Sequence, residues 1–206
     1  QSKRNADALG FDWIFVEYTD QAVKDCLDSV GLNYINSYTG HDYTMYLQNF
    51  PAVRYLVENN KIEKDAVFLT GLCGDMPTGN YIEPYDDKKV YDADAVAVRL
   101  YEMIFTRYEM KDSFKQGWID ERKEEIKQLP FEVKDYQSFV SAVDCIYTGT
   151  CHVHCFLHMN KVHAFFGHEW LLPYWDKELL NIWYSIPANL RFKQGLYEDW
   201  LLGVVC

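Results

Sequence analysis

The chain has 206 residues, 49% hydrophobic and 17% aromatic, enough for one well-filled domain or one domain with an appendage. Against 31 Asp and Glu stand 20 Lys and Arg, giving a formal charge of −11. That argues against a nucleic-acid-binding surface, which needs clustered cations, but leaves room for a small anionic ligand held with Mg²⁺.

Ser2 to Leu9 reads as the end of a helix, with Gly10 as its stop. Trp13-Ile14-Phe15-Val16 predicts a short strand. Asp20 can cap the next helix, whose apolar stripe is Ala22, Val23, Cys26, Leu27 and Val30 and whose end is Gly31. A second helical stretch covers roughly 42–59, with Pro51 as a break or first-turn residue. A polar connection over 60–65 leads to the apolar run Ala66 to Leu69, which predicts a buried strand. Strand, helix and strand alternating in this way make a fragment of a parallel α/β sheet. After Tyr85 the periodicity is helical, over 92–110, 118–129, 135–147, 150–166, 176–184 and 196–202, with no convincing strand. The expected division is therefore an α/β region over 1–85 and a helical region over 86–206. Two strands do not make a stable doubly covered parallel sheet, so further strands are expected upstream of Gln1 or on a separate chain. The charge run 120–128, DERKEEIKQ, is expected to be a solvated helix face.

No apolar run of about 18 residues is present, so no membrane span is expected. The first ten residues lack the apolar core of a signal peptide. The cysteines at 26, 73, 145, 151, 155 and 206 are not spaced as a disulfide framework, so reduced thiols and a cytoplasmic location are expected.

Three segments could carry chemistry. The first follows the strand at 66–69: Thr70-Gly71, then Gly74-Asp75, then Gly79. In open α/β sheets ligands bind past the carboxyl ends of strands. There a carboxylate can hold a metal ion, and glycines let backbone approach a phosphate. A plain strand followed by a turn would look the same. The second segment is His168-Glu169-Trp170-Leu171-Leu172-Pro173-Tyr174-Trp175-Asp176. Asp176 is placed to cap the following helix, whereas Glu169 stands in an apolar and aromatic run with no such role, unless it lies on a solvent-facing edge. The third is Cys151, His154, Cys155 and His158, which share one face of an α-helix. Two of these could bind zinc with help from His163 or His168, but Cys and His packed in a core helix explain the pattern more simply. Motifs of the form GxSxG, HExxH and GxxxxGK[ST] are absent.

Taken together, the first two segments resemble the synthetase domain of asparagine synthase-type amidotransferases, members of the ATP pyrophosphatase group. The family loop, approximately S-G-x-G-S-D-E-x-x-G-G-Y, stands here as Thr70-Gly71-Leu72-Cys73-Gly74-Asp75-Met76-Pro77-Thr78-Gly79-Asn80-Tyr81. The family stretch E-x-R-x-P-F-L-D is matched by Glu169, Leu171, Pro173, Tyr174, Trp175 and Asp176, and the family helix, turn and basic tail by ELLNIWYSIPANLRFKQG. The resemblance spans roughly residues 1–202. It implies a partial Rossmann-like parallel sheet of the adenine nucleotide alpha-hydrolase type, followed by a mostly helical C-terminal region. It also implies the reaction: ATP adenylates a small-molecule acceptor, and ammonia from a glutaminase domain or subunit displaces AMP. Carried over by position, Asp75 is the Mg²⁺–pyrophosphate residue, Thr70, Gly71 and Gly74 touch the nucleotide, and Glu169 lies on the acceptor side. A homodimer is compatible with the resemblance.

The chain also departs from the family. The SGGxDS loop is not present, and Leu72, Met76, Leu171 and Glu198 replace two acids, an arginine and a basic residue of the pattern. Without that loop the fragment alone is expected to be inactive. The spacing resembles relatives that amidate or aminate sugars in surface-polysaccharide assembly. The alternative is a degenerate, non-catalytic nucleotide-binding or scaffold module of the same fold.

Overall fold

The structure, a computed structural model, describes residues 1–38 and 47–205. In chain order the elements are α1 (Ser2–Leu9), α2 (Asp20–Asp25), α3 (Ser29–Tyr38), α4 (Phe50–Glu58), β1 (Val67–Leu69), α5 (Asp75–Thr78), α6 (Ala93–Phe105), α7 (Asp112–Ile126), α8 (Tyr136–Tyr147), α9 (Lys161–Phe165), β2 (Glu169–Leu171), α10 (Lys177–Ser185), α11 (Ala188–Arg191) and α12 (Gly195–Val205). A π-helical run, Thr148–Phe156, continues directly from α8. The structure is mostly helical, and β1 and β2 pair as a small parallel sheet. No helix among the described residues is long and apolar enough to cross a membrane.

The chain divides into two compact units, Gln1–Phe68 with His158–Trp170, and Leu69–Leu157 with Leu171–Cys206. The division passes through both strands rather than at one point near residue 85, so the loop after β1 belongs with the helical unit.

In the first unit, α1 ends on Gly10 in the left-handed conformation, φ 73°, as its sequence predicts. The next three expectations change. Trp13–Val16 is not a strand; it runs without regular structure, and Trp13, Ile14 and Phe15 are exposed. An extended segment becomes a strand only when its N–H and C=O groups join a ladder, and none among the described residues pairs with it. The N-cap of α2 is Thr19, which accepts from the Ala22 N–H at 3.1 Å, with Asp20 inside the first turn. Gly31 lies within α3, because Asp28 breaks and restarts the helix: its Oδ1 accepts from the N–H groups of Val30 and Gly31 at 2.9 and 3.0 Å. Pro51 occupies the first turn of α4, where its missing N–H costs nothing. Of the rest of that predicted helix, residues 47–49 precede α4 as a turn and 42–46 lie outside the described residues. Cys26, Tyr34, Phe50, Val53 and Val162 form this unit's core, with Tyr34 stacked on Phe50 at 5.3 Å and edge-on to Phe165 at 5.2 Å.

The second unit is built around α6, α7 and α8. Val96, Ala97 and Leu100 of α6, Ile119 and Ile126 of α7, and Phe139, Val140, Val143 and Ile146 of α8 share one core. Their spacing of three and four places them on facing stripes. In the charge run 120–128, Asp120, Glu121, Glu124 and Lys127 are exposed as expected, whereas Arg122 is half-buried and paired to Glu121 and Glu125 at 2.7 Å each. A capping box starts α8: the Ser138 N–H donates to Asp135 Oδ1 at 2.8 Å, and the Asp135 N–H to Ser138 Oγ at 3.1 Å.

The sheet differs from expectation in two ways. A second strand, β2, follows Tyr85 at Glu169–Leu171, a run too short for alternation to be legible. And β1 is not buried on both faces: Val67 and Leu69 are 46% and 70% exposed while Phe68 turns inward, the period-two pattern of a strand covered on one side.

Candidate functional site

The residues around Asp75 form a cleft at the carboxyl end of β1. The Thr70 N–H donates to Leu171 O at 3.1 Å, carrying the pairing one residue beyond β1. The loop that follows turns through Cys73, which has φ +70°, a conformation that favours glycine, and is buried; burial pushes its thiol up to about 11. The expected glycine loop is in part helical, because Asp75–Thr78 closes the single turn of α5 with Gly74 as its N-cap. Gly79 ends the turn at φ +98°. It must be glycine, since an added Cβ would lie 2.1 Å from Arg191 O.

Gly71, Gly74, Asp75, Thr78, Tyr174, Gln194 and Tyr197 line a cleft of about 220 Å³. Its floor is tied together: Gln194 Nε2 donates to Thr78 Oγ1 at 2.7 Å, and Thr78 Oγ1 donates to Gly74 O at 2.7 Å. Its aromatic wall is a phenol pair, Tyr174 and Tyr197, with hydroxyls 3.2 Å apart. That hydrogen bond, helped by burial, raises the Tyr174 hydroxyl to about 12. Asp75 is exposed at the start of α5, and its charge adds to burial in raising Tyr81. No Lys or Arg among the described residues lines the cleft. Thr70 stands at the end of β1, and its Oγ1 is buried without a hydrogen-bond partner among the described residues.

Gly71, Gly74 and Asp75 are therefore brought together, with Thr70 next in the chain. Glu169 belongs to the other compact unit, exposed at the start of β2, and is not a lining residue of this cleft. The residue before it, His168, is fixed by a hydrogen bond between its Nδ1 and Ala66 O at 3.1 Å. Asp176 caps α10 as its position predicts: Oδ1 accepts from the N–H groups of Glu178 and Leu179 at 2.9 and 3.0 Å.

The Cys and His cluster changes character. Residues 148–156 are π-helical, so the α-helical spacing that aligns Cys151, His154, Cys155 and His158 does not apply. The side chains of His154 and Cys155 lie outside the described residues. Among the described residues no group of three or more His, Cys, Asp or Glu could hold a metal ion.

Sequence reasoning passed over His152, Tyr197, Gln194 and the ion pair of Asp144 with Arg191, and it named Tyr174 in the second segment without giving it a role. The histidine is buried between Tyr147, Phe156 and Trp175, which drives its pKa down to about 4. Asp144 had a legible signal, a carboxylate on the apolar side of a helix beside Val140 and Tyr147. Gln194 and Tyr197 come from a segment distant from Asp75 and had none.

A single carboxylate beside glycines is a poor resident metal site. It fits a Mg²⁺ that arrives on a nucleotide, since Mg²⁺ keeps most of its water and takes one or two carboxylates plus phosphate oxygens. Comparison with family models, curated proteins and solved structures finds no match.

Proposed function

We propose that this chain carries part of an ATP-dependent amidotransferase of the asparagine-synthase type. The observation that carries this reading is the cleft past the carboxyl end of β1, where Gly71, Gly74 and Asp75 converge. When bound, ATP would supply the adenylating group that activates an acceptor oxygen for displacement by ammonia. In this reading Asp75 faces the Mg²⁺–pyrophosphate and Gly71 and Gly74 let the backbone approach the phosphates. Thr70 stands next to them in the chain. Ammonia would come from a glutaminase domain or subunit.

The acceptor we favour is a sugar, not aspartate. A cleft lined by one carboxylate, an amide, a threonine hydroxyl and two phenols suits a neutral hydroxylated ring. A dicarboxylate would ask for a guanidinium or ammonium, and none lines the cleft among the described residues. The lone carboxylate also favours a second reading, a non-catalytic nucleotide-binding or scaffold module.

ATP–pyrophosphate exchange on the full-length protein with candidate sugars separates the two. The enzyme reading expects exchange that Asp75→Ala lowers by about 10²-fold or more, the scale of losing one preorganised electrostatic contact to the transition state. Active protein with unchanged exchange in that variant removes Asp75 from the site. No exchange with any acceptor favours the scaffold.

A further inference from the structure

The second compact unit buries a complete ion pair next to the cleft-lining residues. Arg191 is 1% exposed and Asp144 5%. The guanidinium spends each of its nitrogens: Nη2 donates to Asp144 Oδ2 at 2.8 Å, Nη1 to Pro77 O at 3.0 Å, and Nε to Ile186 O at 3.3 Å. It lies over the Tyr184 ring at 5.5 Å.

Stability does not account for this arrangement. An apolar pair of similar volume does as well as a buried ion pair or better, because both charges must be stripped of water. What an apolar pair cannot do is donate to Pro77 O. That carbonyl belongs to α5, a single turn in which the Gly79 N–H goes to Asp75 O and Met76 O, leaving Pro77 O to the Arg191 guanidinium. The backbone of Arg191 also meets Gly79, the residue that ends the same turn, and Gln194 grips Thr78.

We propose that Arg191, oriented by Asp144, is the positioning residue of the cleft: it fixes α5, and with it the Asp75 carboxylate, opposite the Tyr174–Tyr197 wall. Its consequence for ligand binding rests on the function proposed above. The geometric claim does not.

Cys73 reports on the position of the loop without any ligand, because the residue is only 7% exposed in the native fold. The test is pulsed alkylation of the native protein, with the Cys73 peptide followed by mass spectrometry. Two variants are compared with the wild type: the apolar pair D144L/R191M and the single change R191K. The apolar pair is expected to keep the wild-type denaturation midpoint and yet label Cys73 about tenfold faster or more, since local opening is set by local contacts. The lysine keeps a charge opposite Asp144 but cannot span three acceptors, so R191K labels faster too. Wild-type protection of Cys73 in D144L/R191M and in R191K would overturn the proposal, and if the apolar pair does not fold, R191K decides alone. In the exchange assay both variants raise the KM for Mg-ATP more than they lower kcat. A wild type without exchange sinks the enzymatic function while the alkylation result still decides the role of Arg191.

Discussion

At the scale of single residues, the contact of Gly79 with Arg191 shows how little freedom the cleft has. A β-carbon at position 79 would need both a left-handed backbone, φ +98°, and a shift of the Arg191 carbonyl. Gly79→Ala is therefore expected to cost about 2 kcal/mol or more, read as a lower urea midpoint at unchanged m-value. A loss below about 0.5 kcal/mol would mean that the turn and the 191 backbone relax freely. Several individual residues were legible in the sequence for local reasons. Asp75 and its glycines follow a short apolar run, and Asp176 precedes a helix by the one position where a cap works. Arg191 was not legible, because its meaning lies in Asp144 and Pro77, and a pairing across such separations leaves no local pattern.

At the scale of elements, the helices were read well and the strands poorly. The stripe Phe139, Val140, Val143, Ile146 predicts α8 because 3.6-residue periodicity is visible within one segment. A three-residue strand shows too little alternation, so β2 went unseen and Trp13–Val16 was read as a strand it does not form. The π-helical run over 148–156 has no distinct sequence period and reads as ordinary helix. One element argues its own test. The start of α10 is held by Asp176 accepting two backbone N–H groups. Asp176→Ala should destabilise the protein by about 1 kcal/mol, and Asp176→Ser should recover most of it, because either side chain offers a capping oxygen. Equal loss in both, measured by chemical denaturation, would show that the carboxylate does something beyond capping.

At the scale of the whole molecule, each compact unit buries one histidine with its pKa pushed down to about 4. Burial is the main cause for both, and the nearby His168 adds to it for His163. His163 also has no hydrogen-bond partner on either ring nitrogen among the described residues, and it stacks on Phe68 at 4.1 Å. Relative to the ordinary 6.5, the unfolded chain binds these two protons first. Their contribution is fully present above pH 6.5 and is lost as pH falls from there toward 4. Asp144 works in the opposite direction, since burial outweighs the pull of Arg191 and raises its carboxyl to about 6, so the folded state takes up one proton in part of that window. With two protons against one, the melting temperature should fall between pH 7 and pH 5, and H152L/H163F should flatten that slope. A slope unchanged in the double variant would place the acid sensitivity elsewhere. The same long-range bonds have a consequence for synthesis. Pro77 and Arg191 are 114 positions apart, and the Thr78–Gln194 contact spans 116. A nascent chain can form α6, α7 and α8 on the ribosome as each emerges, but the Asp75 cleft has no floor or wall until Tyr197 has left the exit tunnel. A translational stall in α10 would release a chain whose helical core is built and whose cleft is still open.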